Sequence, residues 1–313
     1  MAKYLINLVM PVGILLALSS ATRAQSSDSE GPIVRPELMR KVTESVYIIP
    51  DDFVRLVPNI GIVVGSTAIL VVDTGLGIEN GARVYEAVKE LRQDKKMYTT
   101  ITHYHPEHSL GVEGLGNDVV FIASEKQHQE MKAGDRIKNQ FSRQSAANRE
   151  LINNAPYPIP DILYDHNYKL DLGDLTVQLT SVGPLHTEGD SIIFINEEHV
   201  LFSGDIIMGG VIPSIDQQHA TFGSWKTAIE RIAKMSPQVI IGSHGDIGDQ
   251  KLVDTWDRLI SEISGALLGY HASGFSKSQA TKELTSVLSQ KFPTWRNDRR
   301  RMSAAVDTVY RLN

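Results

Sequence analysis

Thr102-His103-Tyr104-His105-Pro106-Glu107-His108 places three histidines and one carboxylate within the six positions 103–108. Imidazole and carboxylate are ligands for zinc (Zn2+), and also for Mn2+ or Fe2+. A loop leaving a strand can splay alternate side chains toward one point, so His103 and His105 suit one ion. Glu107 and His108 can then turn toward a second. Three further candidates follow apolar runs and abut Gly or Pro, where backbone can approach a site closely: His186, Asp205 and His244. Taken singly, each reads as a structural polar residue. Their shared setting makes them candidates for the same chemistry.

Composition narrows that chemistry. The chain has 313 residues and no cysteine, which excludes disulfides, thiolate nucleophiles, Fe–S clusters and Cys-containing zinc sites. With 42% hydrophobic and 22% charged residues it reads as globular, and it is long enough to bury a sizeable core. A net charge of −6 argues against a nucleic-acid partner.

The first 24 residues are set apart. Lys3 precedes an apolar run from Leu5 to Leu18, and small residues lead to Thr22-Arg23-Ala24. This is the pattern of a cleaved secretory signal peptide, too short for a comfortable membrane span. Cleavage after Ala24 removes Lys3 and Arg23 and no acids, taking the net charge from −6 to −8. The expected location is periplasmic or secreted, with no membrane attachment after signal removal.

The elements that must position the candidates follow from periodicity. Strands are expected at Val46–Ile49, Ile60–Val64, Ala68–Val72, Tyr98–Thr102, Val119–Ala123, Tyr168–Leu170, Thr176–Val182, Ser191–Ile195, Val200–Ser203 and Val239–Ile241. Helices are expected at Asn80–Leu91 and Trp225–Lys234, and from Lys251 to the end with breaks near Gly274 and Pro293. The polar stretch from Ser124 to Asn153 reads as a helical insertion with one thin apolar side. The expected organisation is a signal peptide at 1–24, a flexible lead-in at 25–44, a layered α/β domain at 45–250 and a helical extension at 251–313.

In chain order, Asp73, the His103-x-His105-x-Glu107-His108 loop, His186, Asp205 and His244 resemble the motifs of the metallo-β-lactamase superfamily of metallohydrolases. The resemblance runs roughly from Val46 to Gly245. It implies a four-layer αββα sandwich with metals at one edge of two facing sheets. It also implies two ions, one held by His103, His105 and His186, the other by Glu107, His108 and His244. Asp205 would bridge them, and Asp73 would fix a ligand histidine or its loop. The family carries Asp where this chain has Glu107. Glu is one methylene longer, about 1.5 Å of reach, so the second ion is expected farther out or weaker unless the loop is rebuilt.

The activity implied is hydrolysis by metal-bound hydroxide, with Glu107 or Asp205 taking the released proton. The expected substrate is a small molecule with an ester, lactone or amide bond, β-lactams included. The alternatives are a phosphodiesterase and a non-catalytic metal-binding protein of the same fold. Tyr104, His219 and Trp225 are candidate substrate contacts at the cleft rim. Arg299, Arg300 and Arg301 read as a solvated helix face. The C-terminal helices are candidates for capping the site or for a homodimer contact.

Overall fold

The protein is described by a computed structural model covering residues 31–215, 220–296 and 299–312. The signal-peptide segment and His219 lie outside the described residues. Strands β1 (Arg40–Lys41), β2 (Val46–Ile49), β3 (Ile60–Val64), β4 (Ala68–Val72), β5 (Lys96–Thr100), β6 (Val119–Ser124) and β7 (Ile162–Tyr164) form one sheet in sequence order. Pairing is antiparallel from β1 to β4 and parallel from β4 to β7. Strands β8 (Asn167–Asp171), β9 (Thr176–Ser181), β10 (Ser191–Ile195), β11 (Val200–Gly204) and β12 (Val239–Gly242) form the second, antiparallel except for the β11–β12 pair. The helices are α1 (Ile78–Arg92), α2 (Pro106–Ser109), α3 (Glu125–Lys132), α4 (Asp135–Ser142), α5 (Ala146–Asn153), α6 (Phe222–Met235), α7 (Gln250–Ala272), α8 (Lys277–Lys291) and α9 (Arg299–Leu312). Among the described residues no helix is long and apolar enough to cross a membrane.

Strand β4 is buried along its whole length, so its period-two alternation separates two cores rather than core from solvent. Leu70 and Val72 join Val63, Val177, Leu179, Ile193 and Phe202 between the sheets. Ile69 and Val71 pack outward on Val84 and Val88 of α1. Strand β10 does the same in the second sheet: Ile193 and Ile195 face inward, and Ile192 and Phe194 face the layer of α6 and α7. The result is the expected αββα sandwich.

One expectation, the flexible lead-in, is corrected, and two that hold gain detail. The lead-in is packed where it is described: Val34 is fully buried, and its amide donates to Asn80 Oδ1 at 2.8 Å. The polar insertion is three short helices, α3 to α5. A cap at Ser145, whose side chain accepts from Asn148 N, restarts the chain as α5. The C-terminal helices complete the outer layer, with Trp256, Leu259, Ile260 and Ile263 of α7 and Met302, Ala305 and Val306 of α9 in one core with α6.

Candidate metal centre

The site forms where loops leave the ends of both sheets. Asp73 follows β4 directly and adopts φ +62°, a conformation that non-glycine residues rarely hold. Its amide donates to Thr100 O at 2.9 Å, which ties it to the end of β5. Its Oδ1 accepts from Thr102 N at 2.8 Å, and its Oδ2 faces His108 Nδ1 at 2.9 Å. The single turn of α2 opens with Pro106 in its first position, where the missing N–H costs nothing. That turn brings Glu107 and His108 back beside His103.

The second sheet supplies the rest. The loop from β9 to β10 carries His186, and Thr187 closes it by donating from N and Oγ1 to the Asp190 carboxylate, both at 2.8 Å. Asp205 follows Gly204, which needs its φ of +59° to turn the chain out of β11. His244 follows β12. The next residue, Gly245, is at φ +83°, and a Cβ there would lie 1.8 Å from Gly209 O, so no side chain fits.

Hydrogen bonds fix which ring nitrogens face inward. A carbonyl can only accept, so His186 Nδ1 donates to Ser214 O at 3.0 Å and His244 Nδ1 donates to Val57 O at 3.1 Å. His108 Nδ1 donates to the Asp73 carboxylate. Thr102 Oγ1 donates to Asp73 and so accepts from His103 Nδ1 at 3.2 Å. These four rings, when neutral, present a bare Nε2 to the centre. His105 is turned the other way: its Nδ1 stands 3.1 Å from His103 Nε2 and 3.2 Å from His186 Nε2.

The inward atoms make three overlapping clusters, each within 4.8 Å: His103, His105 and His186; His103, His108 and Asp205; Glu107, His108 and His244. Asp205, a member of the second cluster, reaches toward the other two. Its Oδ2 is 3.5 Å from His186 Nε2, and its Oδ1 is 3.9 Å from His244 Nε2. Despite its extra methylene, Glu107 joins the third cluster, with Oε1 3.9 Å from His108 Nε2.

Burial shapes the charges. It holds His103 and His105 well below the usual imidazole range, and the neighbouring rings add to the effect, so both stay neutral as a ligand must. Burial lowers His244 to about 4 against the pull of Asp205. It also opposes charge on His108, but the Asp73 carboxylate overrides it and raises that ring to about 9. Burial pushes Glu107 up to about 7. For Asp205 burial works the same way, but His186, His244 and His108 outweigh it and hold the carboxyl well below its usual range.

The residues present fit a metal. Glu107 Oε2, His108 Nε2 and Asp205 Oδ1 are buried with no hydrogen-bond partner among the described residues. Leaving such atoms unpaired is costly, and a cation at the centre would satisfy all three by taking the place of the His108 Nε2 proton.

The remaining candidates divide. Tyr104 is half-buried beside His105, their rings 5.1 Å apart, and it borders the centre. Trp225 is not brought to the site. It is fully buried and stacked on Trp256 at 6.0 Å, because the apolar face of α6 packs on α7. Arg301 is also corrected: it is part-buried and donates to Ile212 O at 2.9 Å.

Sequence reading missed the residues that brace the ligand loops. Gln127 is buried and donates from Nε2 to Ile101 O at 2.9 Å and to Thr102 O at 3.1 Å. Glu130 accepts from Glu188 N at 2.9 Å and from Gly189 N at 2.8 Å. The Ser124-x-x-Gln127 pattern is a legible capping box, and it marks where α3 starts beside these loops.

A sequence model of the metallo-beta-lactamase superfamily matches residues 54–244. A search of curated proteins gave no significant match. Among solved structures, a metallo-beta-lactamase from Pontibacter korlensis is 20% identical with a TM-score of 0.58, covering 71% of this chain and 98% of that one. A metallo-beta-lactamase family protein from Thermus thermophilus is 17% identical with a TM-score of 0.63, covering 87% and 94%. The stereoselective inverting sec-alkylsulfatase Pisa1 from Pseudomonas sp. is 13% identical with a TM-score of 0.65, covering 86% of this chain and 49% of that one. At these identities the likeness to solved structures speaks for the fold alone. The family match runs from the loop before β3 through His244 and takes in every clustered ligand, so the chain belongs to the metallo-beta-lactamase superfamily.

Proposed function

We propose that the protein is an exported hydrolase that holds two divalent cations, Zn2+ first among them, and cleaves an ester, lactone or amide bond of a small molecule. One observation carries the reading: three buried, unpartnered donor atoms, on Glu107, His108 and Asp205, belong to a contiguous group of seven ligand-type residues. His103, His105 and His186 would hold one ion, and Glu107, His108 and His244 the other, with one oxygen of Asp205 toward each. Bound there, the ions would polarise the scissile group and supply a nucleophile at neutral pH.

The chain's own groups do the rest. Asp73 and Thr102 keep the His108 and His103 protons on Nδ1, away from the centre. Glu107 and Asp205 bring two negative charges against four positive ones. With ions bound, the positive charge left over would favour an anion developing on a substrate carbonyl. The carboxylate of Glu107 or Asp205 would take the proton released in that attack. Tyr104, whose ring lies 5.1 Å from that of His105, would be a substrate contact. Export rests on the signal-like pattern of residues 1–24.

The test is metal analysis of the secreted protein together with a substrate panel. The panel holds a lactone, a carboxylic ester, a β-lactam, a phosphodiester and a secondary alkyl sulfate. Two ions per chain and chelator-sensitive turnover of one of the first three are expected. Turnover of the phosphodiester or sulfate alone would move the substrate class. Full metal loading without turnover would favour a binding protein. N-terminal sequencing of the secreted chain should begin at Gln25.

A further inference from the structure

Arg296 lies in the C-terminal extension, beyond the end of the family match, yet it reaches the back of the centre. Its Nη2 donates to Asp51 Oδ2 at 2.6 Å. Asp51 is buried and sits in the turn that follows β2. The same Oδ2 accepts from Gly245 N at 3.0 Å and lies 3.9 Å from His244 Nδ1. Oδ1 of Asp51 accepts from Phe53 N at 3.1 Å. Asn59 completes the frame, with Oδ1 accepting from Asp51 N at 2.9 Å and Nδ2 donating to Gly242 O and Gly245 O, both at 2.9 Å. The turn carrying His244 is thereby held on both sides by one buried carboxylate and one buried amide.

A buried carboxylate of this kind needs a counter-charge, and Arg296 provides it. Arg296 is itself pinned. Its N donates to Gly210 O at 2.7 Å, its O accepts from Ile212 N at 2.9 Å, and its guanidinium lies 5.2 Å above the Phe53 ring. The strap it pairs with, residues 210–214, ends at Ser214, whose carbonyl orients His186.

We propose that Arg296 is a positioning residue for the second ion: through Asp51 it fixes the Gly242–Gly245 turn and so aims His244 Nε2 at the cluster with Glu107 and His108. The inference rests on the proposed two-ion centre. It makes the C-terminal extension part of that centre, although the extension supplies none of the clustered ligands.

The test is Co2+ titration of the metal-free full chain, followed by visible absorption and by competition with a chelator. The proteins compared are wild type, Arg296→Gln, Arg296→Lys and Asp51→Asn. The wild type is expected to bind two ions in resolvable steps. Arg296→Gln should keep the first step and lose about 10–100-fold in affinity at the second, the usual effect of removing a residue that orients a ligand. Arg296→Lys should recover part of the loss by restoring the charge. A general loss of structure would weaken both steps together and give no recovery with Lys, and that pattern would overturn the proposal. So would two unchanged steps in Arg296→Gln. If that variant fails to fold, Asp51→Asn keeps the shape of the turn and reads the same step. No Co2+ binding by the wild type would overturn the two-ion reading and this inference with it, whereas two steps in the wild type leave the variants to decide the inference alone.

Discussion

Asp73 Oδ2 and His108 Nδ1 stand 2.9 Å apart, both fully buried, at the point where two parallel strands release their chains. One carboxylate thereby sets the protonation of a candidate ligand ring and the path of the loop that carries it. Asp73→Asn preserves the shape but presents an amide N–H to His108 Nδ1. The ring must then carry its proton on Nε2, the atom that faces the centre. The expected result is about a 10–100-fold loss in metal affinity with the fold intact, measured by chelator competition beside circular dichroism.

Glu107 supplies one of the two carboxylates at the centre. Glu107→Gln removes its charge while nearly keeping its volume. Elemental analysis is expected to find close to one ion per chain instead of two, with turnover lost. Two tightly held ions in the variant would remove Glu107 from the ligand set.

The clamp of Glu130 on the His186 loop should be visible as a pH dependence of stability. Burial raises Glu130 from 4.5 to about 8 and Asp190 from 3.8 to about 6. A group raised on folding contributes stability that is full below its unfolded value and lost as pH climbs through its folded value. These two therefore favour the fold most below about pH 4 and lose their contribution through about pH 6 and about pH 8. Glu130→Gln cannot ionise. Its melting temperature should fall less than that of the wild type between about pH 5 and about pH 9, and parallel curves would count against the clamp.

Trp225→Ala separates core from cleft. The indole is fully buried against Trp256, so its removal should cost about 3–5 kcal/mol in urea unfolding. The value of kcat/KM per folded molecule should be unchanged. A selective rise in KM would return Trp225 to the substrate pocket.

Much of this was legible in the residues. Apolar runs such as Ala68–Val72 and Ser191–Ile195 are strands at the expected positions, because sheets covered on both faces demand continuous apolar sequence. The clustered ligands sit at strand ends beside Gly or Pro, a local signal. The bracing residues were not legible. Gln127, Glu130, Asp51 and Arg296 act through contacts to backbone or partners far away in the chain, up to 245 positions for the Asp51–Arg296 pair. Only Gln127 carries a local mark, the Ser124-x-x-Gln127 capping box, and that shows where a helix starts, not what its amide braces. Trp225 misled for the opposite reason: its nearness in sequence to the cleft loop hid a helical face committed to α7.

The two sheets divide the chain cleanly, Arg40 to Tyr164 in one and Asn167 to Gly242 in the other. Each of the three ligand clusters draws members from both sides of that division. An ion held at the centre therefore fastens one half of the polypeptide to the other, and its binding free energy becomes adhesion between halves. The joint between them, Asp165-His166, is exposed. A chain opened there and supplied as two fragments is expected to reassemble with an affinity that follows the free metal concentration, so an ion bound at the centre would also set how firmly the halves stay together.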